Sequence, residues 1–399
     1  MSENKRIMVL GGSNFQLPLI MRAKEMGLYV ISCDYLPDNP GHKFSDEYHN
    51  VSTTDKEAVL ELAKSLDIDA IVTLSSDPAI PTVAFVADAL GLSGPSPEAV
   101  TILSEKDKFR SLLSKLGLNV PGNYVVNSLM IPEEIKNINS KFVVKPVDSS
   151  GSKGITYSSA NENELNHAIE YALQHSRAKR CIIEEYIDGD QIHGDGYLQD
   201  GKLIYHYLGD HFFYTKSKNF IPISTRWPCK YEGTEILNTV VKQVESICNA
   251  VGYRTGPVNI EARVTDSGKV YIIEVSPRNG GNYVPIIQEH LTGFDFISKI
   301  IRSSFGMDVE VDTDPCEKKV GAHYILHSEK DGIFKDVRIS DEINGHIFFR
   351  KVFKNEGDDV KEYVGSNTTI GVLLLEFDTI NERNDLMSDI SDFIQVVVL

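Results

Sequence analysis

Two apolar, strand-like runs on either side of Asp266-Ser267-Gly268 each carry a single glutamate, Glu261 and Glu274. A two-residue or four-residue loop between the runs places these glutamates directly opposite each other in an antiparallel hairpin. A three-residue loop would instead set Glu261 against Ile273 and turn Glu274 to the other face. We expect an even loop, and therefore a facing pair of carboxylates.

Directly opposed residues have Cβ atoms about 5 Å apart, and like charges at that separation destabilise a strand pair. With an effective dielectric constant of about 20, the repulsion is roughly 3 kcal/mol, which exceeds the roughly 1 kcal/mol span of strand propensity. Either a cation lies between the carboxylates, or one of them holds a proton, or the hairpin is solvent-exposed and they never meet. Magnesium fits the first alternative, because it takes oxygen ligands from one or two carboxylates and completes its shell with phosphate and water.

At 399 residues the chain is too long for one hydrophobic core, so two or three domains are expected. No apolar run approaches the roughly 18 residues that span a membrane. The N-terminus passes from MSENKR directly into IMVL, without signal-peptide architecture. The five cysteines form no CxxC pair, which predicts reduced thiols rather than disulfides or a zinc site. A cytoplasmic location is expected.

The formal net charge of −17 argues against a nucleic acid or an anionic membrane as the partner, because attraction to phosphate needs basic patches. If a polyanion such as a nucleotide binds, local lysines and divalent cations must overcome the field of the whole chain.

The first hundred residues alternate strand and helix patterns, which predicts a parallel, doubly wound sheet. The predicted strands are 6–10, 28–34 and 69–74, and the predicted helices are 15–26 and 78–90. The segment GLSGPSP (91–97) is a plausible joint.

After Pro121 the pattern changes to strands joined by glycine-rich turns. Apolar residues at helical spacing then mark an amphipathic helix from about 234 to 251, whose apolar stripe is typical of core packing. From about Lys319 the chain is strand-rich again, with a final helix near 381–394. The fold class is therefore mixed α/β and multidomain: an α/β unit, a mixed central unit and an α+β C-terminal unit.

The segment LGGSNF (10–15) follows the first strand, and Asp34 ends the second, where a dinucleotide-binding protein carries its glycines and ribose-binding acid. The third glycine of GxGxxG is missing. We therefore favour a tight strand-to-helix turn that need not bind a nucleotide.

Three further segments carry charge where charge is unusual. FVVKPVDSSGSKG (142–154) places Lys145 at the end of an apolar strand before a Ser/Gly loop, whose N–H groups can form an anion-binding nest. CIIEEYIDGDQ (181–191) ends an apolar strand in adjacent acids. SEKDKFR (104–110) begins a helix with basic residues, although helix N-termini favour acids. Taken singly, each also fits a hairpin tip, a surface strand end or a solvated helix face.

In this order, together with EVSPRNGG (274–281), these segments resemble the ATP-grasp superfamily, along nearly the whole chain. The resemblance is to the biotin-carboxylase-like branch, which includes L-amino-acid ligases and formate-dependent glycinamide ribonucleotide transformylase. It implies a Rossmann-like N-terminal domain (1–103), an ATP-grasp domain (104–318) with a lid at about 120–187, and an α+β C-terminal domain (319–399). It also implies ATP with Mg²⁺ or Mn²⁺, small-molecule carboxylate and amine substrates, and commonly a homodimer.

The family's roles transfer to residues of this sequence as expectations. The nucleotide-binding residues are expected to be Lys106, Lys145, Ser149, Ser150, Gly151, Ser152, Lys153, Gly154, Glu184, Glu185, Tyr186, Ile187, Asp190 and Gln191. The metal-binding residues are expected to be Glu261, Glu274 and Ser276. The residues that face the acyl phosphate or the substrate carboxylate are expected to be Arg278, Gly280 and Gly281.

The sequence departs from the family pattern at two positions. Ser276 stands where an asparagine is common, which puts the coordination of the second metal in doubt. Gln191 stands at the ribose-binding position that is usually glutamate, and Asp190 could take over that contact. For the acceptor pocket the candidate residues are His206, His211 and Arg226.

The resemblance implies phosphoryl transfer from ATP to a carboxylate, giving an acyl phosphate that an amine captures as an amide. Such chemistry needs positioning and charge neutralisation rather than a nucleophilic side chain. The main hypothesis is therefore an ATP-dependent carboxylate–amine ligase. The alternatives are a nucleotide-binding module without ligase activity, a purine-biosynthesis-type transformylase or carboxylase, and an NAD-dependent oxidoreductase that uses the Gly11–Asp34 region.

Overall fold

The computed structural model describes residues 5–135, 140–159, 161–216, 220–307 and 318–399. Their strands form four sheets, of which the first is parallel, in the order β3-β2-β1-β4. The elements of this N-terminal part are β1 (Arg6–Leu10), α1 (Leu17–Glu25), β2 (Tyr29–Cys33), β3 (Glu47–His49), α2 (Lys56–Ser65), β4 (Ala70–Val72), α3 (Ile80–Leu90) and α4 (Pro97–Ser104).

Both faces of the first sheet are buried, because successive strand residues point to opposite sides. Met8 and Leu10 pack in one apolar cluster with α2 and α3, whereas Ile7 and Val9 pack in another with α1. The predicted parallel, doubly wound sheet is confirmed. The last two residues of the expected joint, 91–97, belong to the start of a helix. Ser96 caps α4 and Pro97 occupies its first turn.

The second sheet is small and antiparallel, in the order β5-β8-β6-β7. Its elements, preceded by a further helix, are α5 (Lys106–Lys115), β5 (Asn123–Val126), β6 (Lys141–Pro146), β7 (Thr156–Ser159), α6 (Glu162–His175) and β8 (Cys181–Glu185). Phe142, Val144 and Ile183 pack against α6 on one face. The alternate residues Val143 and Lys145 therefore face the other way, into a cavity.

The next elements supply most of a large sheet and the helices that cover it. They are β9 (Asp190–Gln199), β10 (Lys202–Phe213), β11 (Pro222–Trp227), α7 (Glu235–Ala250), β12 (Gly256–Val264), β13 (Val270–Ser276), α8 (Val284–Thr292) and α9 (Phe296–Ser304). Val240, Val244 and Ile247 of α7 are fully buried beneath this sheet. The amphipathic helix predicted at 234–251 and its core role are confirmed.

The C-terminal part completes the large sheet, whose order is β13-β12-β9-β10-β11-β14-β18-β16. Its elements are β14 (Val320–Leu326), β15 (Gly332–Ile339), α10 (Asp341–Asn344), β16 (Ile347–Val352), β17 (Asp359–Val360), β18 (Gly371–Phe377), α11 (Ile380–Ser388), α12 (Ile390–Phe393) and β19 (Ile394–Val398). A smaller sheet joins β17, β15 and β19. The limits of the three domains stay a prediction. The large sheet contains strands from both sides of the domain boundary expected at 318/319.

Within the described ranges, no helix combines the length and the apolar character that crossing a membrane requires. The four cysteines in those ranges, Cys33, Cys181, Cys229 and Cys248, are buried free thiols, as expected. Burial raises the pKa of each of these thiols to about 12. The fifth, Cys316, lies outside the described residues.

Candidate active site

The β12–β13 hairpin brings the two glutamates together. Glu261 lies directly opposite Glu274, and Asn259 lies directly opposite Ser276. Both glutamates line one cavity, about 1150 Å³ in volume, together with residues of the small sheet and of the N-terminal part. The facing pair expected from the sequence is confirmed, and the alternative in which the glutamates never meet is wrong.

The loop that joins β12 and β13 is not the even loop that the sequence analysis expected. Residues 265–269 form a five-residue loop, which offsets the register next to it by one residue. Continued without interruption, that register would set Glu261 opposite Ile273. Ile273 is instead an extra residue, a β-bulge, and it returns Glu274 to the position opposite Glu261.

Arg110 of α5 holds this bulge. Its Nη1 donates a hydrogen bond to the backbone carbonyl of Ile273 at 2.9 Å, and its Nε donates to Glu184 Oε1 at 2.5 Å. The arginine is only 2% exposed. One buried guanidinium therefore ties the bulge in the large sheet to a carboxylate of the small sheet.

The two opposed carboxylates have different proton affinities. Burial, reinforced by the charge of Glu274, raises the pKa of Glu261 to about 7. Burial would also raise the pKa of Glu274, but Lys106, Arg278 and the Ser276 hydroxyl, whose Oγ donates to Glu274 Oε1 at 2.7 Å, together lower it. A proton shared by the pair therefore resides on Glu261.

Two lysines bring positive charge to the same cavity. Lys106, the first residue of α5, donates from Nζ to the carbonyl of Ser149 at 2.7 Å, and burial lowers its pKa. Lys145 at the end of β6 donates from Nζ to Glu184 Oε2 at 2.7 Å. Both lysines line the cavity, as the sequence analysis expected.

Glu184 has a different role from the one expected. It is 2% exposed, and Arg110 and Lys145 both bind its carboxylate. Burial alone would raise its pKa, but these two cations outweigh burial and bring the pKa to about 2. Because its oxygens already accept charged hydrogen bonds, Glu184 is a counter-ion that positions Arg110 and Lys145 and not a free acceptor for a nucleobase.

The loop between β6 and β7 covers the lysine side of the cavity. Ser149, Ser150, Gly151, Ser152 and Lys153 line it. Gly151 and Ser152 have left-handed φ values of 65° and 61°, which turns the backbone sharply at this point. Gly154, also expected here, lies outside the cavity, and a Cβ on it would meet Pro146 and His175.

The hinge after β8 lines the cavity with Glu185, Tyr186 and Ile187. The N–H of Glu185 donates to the Gly122 carbonyl at 2.7 Å, and the N–H of Tyr186 donates to the Lys141 carbonyl at 2.8 Å. These two N–H groups are therefore already engaged within the small sheet.

The side chains of Gln191 and Asp190 point to opposite faces of the large sheet, because successive residues of a strand alternate between its two faces. Gln191 lines the cavity, donates from Nε2 to Glu261 Oε2 at 3.1 Å, and accepts from Arg263 Nε at 3.0 Å. Asp190 lies outside this cavity, and its Oδ2 accepts from the Tyr231 hydroxyl at 2.7 Å and pairs with Lys230. The expectation that Asp190 could replace the ribose acid is thus wrong.

The segment after β13 is held by two acids that the sequence analysis missed. Arg278 makes a two-pronged ion pair with Asp77, with Nε–Oδ1 and Nη2–Oδ2 distances of 2.6 and 2.8 Å. The N–H of Gly280 donates to Asp195 Oδ1 at 2.7 Å, so it is not free for a substrate, contrary to expectation. Arg278 and Gly281 do line the cavity.

Each missed acid carries a weak signal in the sequence. Asp77 follows the carboxyl end of β4, where open α/β sheets place ligand-binding groups. Asp195 is an acid between two glycines in an apolar strand, and it is fully buried, which raises its pKa to about 7.

Asp34 supports its own turn, which agrees with the favoured interpretation of LGGSNF. Its Oδ2 accepts from the Gly12 N–H at 3.0 Å and from Asn39 Nδ2 at 2.9 Å. This carboxylate is therefore engaged in holding the loop after β1.

The structure places the three candidates for the acceptor pocket differently. His211 lines the cavity that holds the glutamates and also a second cavity. Arg226 lines only the second cavity. His206 lines neither, and its Nδ1 is buried without a hydrogen-bond partner among the described residues, so its expected role is not supported.

Two further histidines join His211 in the cavity wall, His193 and His323. Burial lowers the pKa of all three, to about 4 for His193 and about 3 for His323, so the rings are neutral. Thr225 Oγ1 lies 2.7 Å from His211 Nδ1, and Asn259 Nδ2 donates to His193 Nε2 at 2.9 Å. The sequence analysis missed His193 and His323 because lone histidines in strands have no characteristic spacing.

In the part of the chain that the structure describes, no group of three or more His, Cys, Asp or Glu side chains has the arrangement of a metal site. The donors that fit a divalent cation are the paired carboxylates of Glu261 and Glu274. Burial and the neighbouring charge of Glu274 raise the pKa of Glu261, so the pair carries a repulsion between like charges. A bound cation with oxygen preference would relieve that repulsion.

Comparison with known proteins identifies the class. Residues 138–285 match the family model of the ATP-grasp domain. The formate-dependent phosphoribosylglycinamide formyltransferase of Prochlorococcus marinus (strain NATL2A) is 25% identical over 300 residues, which cover 73% of this chain and 75% of that protein.

Two solved structures share the fold. The L-amino acid ligase of Bacillus licheniformis covers 100% of both chains with a TM-score of 0.84 and 21% identity. The biotin carboxylase domain dimer of the Hydrogenobacter thermophilus 2-oxoglutarate carboxylase, in complex with MgADP, ADP and bicarbonate, gives a TM-score of 0.77 with 16% identity. That match covers 99% of this chain and 91% of the other.

The match to the ATP-grasp family model covers residues 138–285, which contain the hairpin of the two glutamates. The chain as a whole has the fold of the L-amino acid ligase and the biotin carboxylase domain. The resemblance stated from the sequence is confirmed.

The first prediction concerns pH. The unfolded chain releases the Glu261 proton near its ordinary pKa, whereas the folded chain holds it to about pH 7. Ionisation of Glu261 should therefore cost the metal-free protein stability as pH rises between these values, and Glu261→Gln should remove this one contribution while Asp195 and the buried histidines keep theirs. The stability of the wild type relative to Glu261→Gln should therefore fall over this range, and at pH 8 the variant should be more stable by about 3 kcal/mol. Urea unfolding in EDTA across that range measures the effect.

The matched control for this experiment is Asp266→Asn in the exposed loop of the same hairpin, which should keep the wild-type pH profile. Added Mg²⁺ should stabilise the wild type more than Glu261→Gln. Identical pH slopes in wild type and Glu261→Gln would contradict the charge assignment.

The second prediction concerns Arg110. Arg110→Met removes a buried cation from Glu184 and leaves the Ile273 carbonyl without its donor, so it should destabilise the protein by about 3–5 kcal/mol. Lys108→Met removes an exposed pair with Glu105 on the same helix, 3.0 Å long, and should cost less than about 1 kcal/mol. Urea unfolding compares the two, and equal losses would be incompatible with a buried role for Arg110.

Proposed function

We propose that the protein is an ATP-dependent carboxylate–amine ligase that releases ADP. The observation that carries the proposal is the convergence, in one cavity, of the opposed glutamates Glu261 and Glu274 with the lysines Lys106 and Lys145. Two facing carboxylates can bind a metal ion, and the two neighbouring ammonium groups can bind phosphate oxygens. Together they match a metal-bound triphosphate.

The nucleotide roles follow from position. Lys106, Lys145 and the 149–153 loop would bind the phosphates, through ammonium groups and backbone N–H groups. The backbone of the hinge, 185–187, would bind the adenine edge, and Gln191 would bind a ribose hydroxyl. The loop would then act as a lid that excludes water from a reactive intermediate.

Glu261 and Glu274 would hold one or two divalent cations, Mg²⁺ or Mn²⁺. Support comes from the structural relative that contains MgADP. When bound, such a cation neutralises the charge of the transferring phosphoryl group. Ser276 would act through Glu274, because its hydroxyl already donates to that carboxylate.

The substrate end of the cavity lies beside Arg278 and Gly281. Arg278, fixed by Asp77, would pair with the substrate carboxylate or with the acyl phosphate formed from it. The attacking amine would enter beside the neutral rings of His193 and His211. The named activity of the Prochlorococcus relative, formate-dependent formyl transfer, supports formate as one acid to test.

The expected small-molecule substrates, a cytoplasmic location and a homodimer belong to the same proposal. Relatives include a small-molecule formyltransferase and a dimeric biotin carboxylase domain.

The third prediction is turnover. With ATP and Mg²⁺, the protein should release phosphate and ADP when a carboxylic acid and an amine are both present, and less with either alone. The panel should contain formate, the common amino acids and small carboxylic acids, read by coupled ADP detection. Tight ATP binding by calorimetry without turnover across the panel would contradict the ligase and favour a nucleotide-binding module.

The fourth prediction concerns the metal-binding carboxylate. Glu274→Gln should lower phosphate release by about 10²–10³-fold, because it removes an anionic ligand of the cation at the reacting phosphate. Asp266→Asn, on the same hairpin but in its exposed loop, should leave the rate unchanged. If Glu274→Gln released phosphate at a rate within a factor of a few of the wild-type rate, Glu274 would not be a ligand of the cation.

A further inference from the structure

A second cavity, about 850 Å³ in volume, lies beside the first one. Along β10, His211 faces the glutamate side of the large sheet, whereas the next position on the strand, Asp210, faces the other side. In the β10–β11 register, Asp210 lies directly opposite Arg226 of β11. Both side chains therefore lie on the face opposite to Glu261. Both line the second cavity.

Two arginines meet in this cavity without a carboxylate bound to either. Arg226 Nη2 donates to the Met387 carbonyl at 2.7 Å, and Arg383 Nη1 donates to the Pro228 carbonyl at 2.8 Å. Arg383 is 3% exposed, and its other nitrogens donate to the amide oxygen of Asn384. Among the described residues, neither arginine belongs to an ion pair within 4.0 Å.

The one acid near both arginines, Asp210, forms no ion pair with either of them within 4.0 Å. Asp210 lies opposite Arg226, yet its Oδ1 accepts the backbone N–H of Lys230 at 3.1 Å. The Arg226 guanidinium stacks instead on Phe212, 4.0 Å from the ring centroid, and its Nε is buried without a partner in the described part of the chain. Burial and the charge of Arg383 lower the pKa of Arg226 to about 10.

The surroundings are basic and apolar. Cationic side chains outnumber carboxylates in the cavity lining by five to three, although the whole chain carries a net charge of −17. Phe212 and Ile380 supply an apolar wall next to the arginines. Two buried like charges of this kind favour an anion for the same reason that the paired glutamates favour a cation.

We propose that this second cavity binds a small organic anion, a carboxylate or a phosphate ester, between Arg226 and Arg383. The guanidinium forks match the paired oxygens of such a group, and the apolar part of the ligand would lie on Phe212 and Ile380. The two cavities share part of their lining, including Gln191 and His211, but Arg226, Arg383, Phe212 and Ile380 line only the second one.

Calorimetric titration with phenyl phosphate and with phenylacetate tests the proposal. At least one of these anions should bind the wild type, and Arg226→Gln should weaken its binding about tenfold or more, since it removes charged hydrogen bonds. Asp210→Asn should tighten binding, because it removes the competing carboxylate. A damaged fold would not produce that gain. Arg226→Lys keeps the charge without the fork and should be intermediate.

Lys153→Met, at an exposed lysine of the other cavity, is the control for binding there, and it should leave the affinity of the anion unchanged. The proposal fails if Lys153→Met abolishes binding while Arg226→Lys and Arg226→Gln do not, or if neither anion binds at millimolar concentration. It also fails if Asp210→Asn has no effect or weakens binding. Should Arg226→Gln not fold, Asp210→Asn and Arg226→Lys still decide the outcome.

Discussion

Repulsion between two carboxylates on neighbouring strands is the constraint around which the main cavity is organised. Glu261 and Glu274 are brought together by the backbone, so their charges must be balanced by a proton or by a cation. Lys106 and Arg278 favour ionised Glu274, which leaves the proton on Glu261.

A second buried network keeps that pair in place. Arg110 binds both Glu184 of the small sheet and the bulged carbonyl of Ile273 in the large sheet. Lys145 shares Glu184, so the lysine at the end of β6, the strand β8 and the bulge belong to one charged cluster. Removing any one member leaves a buried charge or carbonyl without its partner, which is why such clusters are costly to interrupt.

Local patterns predicted much of the fold and part of the site. The N-terminal parallel sheet, the helix α7 and the facing glutamates were all accessible from periodicity and strand pairing. Glu184, Asp190 and Gly280 were assigned wrongly or incompletely, because each is engaged by a residue distant in sequence. The partners are Arg110 and Lys145, Lys230 and Tyr231, and Asp195 respectively.

The sequence by itself determined which residue types are available and which neighbours in the chain share a strand face. It therefore determined that each strand of one hairpin carries a glutamate, whereas their facing each other depends on the register. Only the tertiary structure decided how this happens, through a bulge at Ile273 that compensates a five-residue loop and is held by Arg110. It also decided that His211 reaches the cavity of the glutamates whereas Arg226, fifteen residues away, lines only the second cavity. The reason is that side-chain partners depend on contacts between distant segments, which no local pattern encodes.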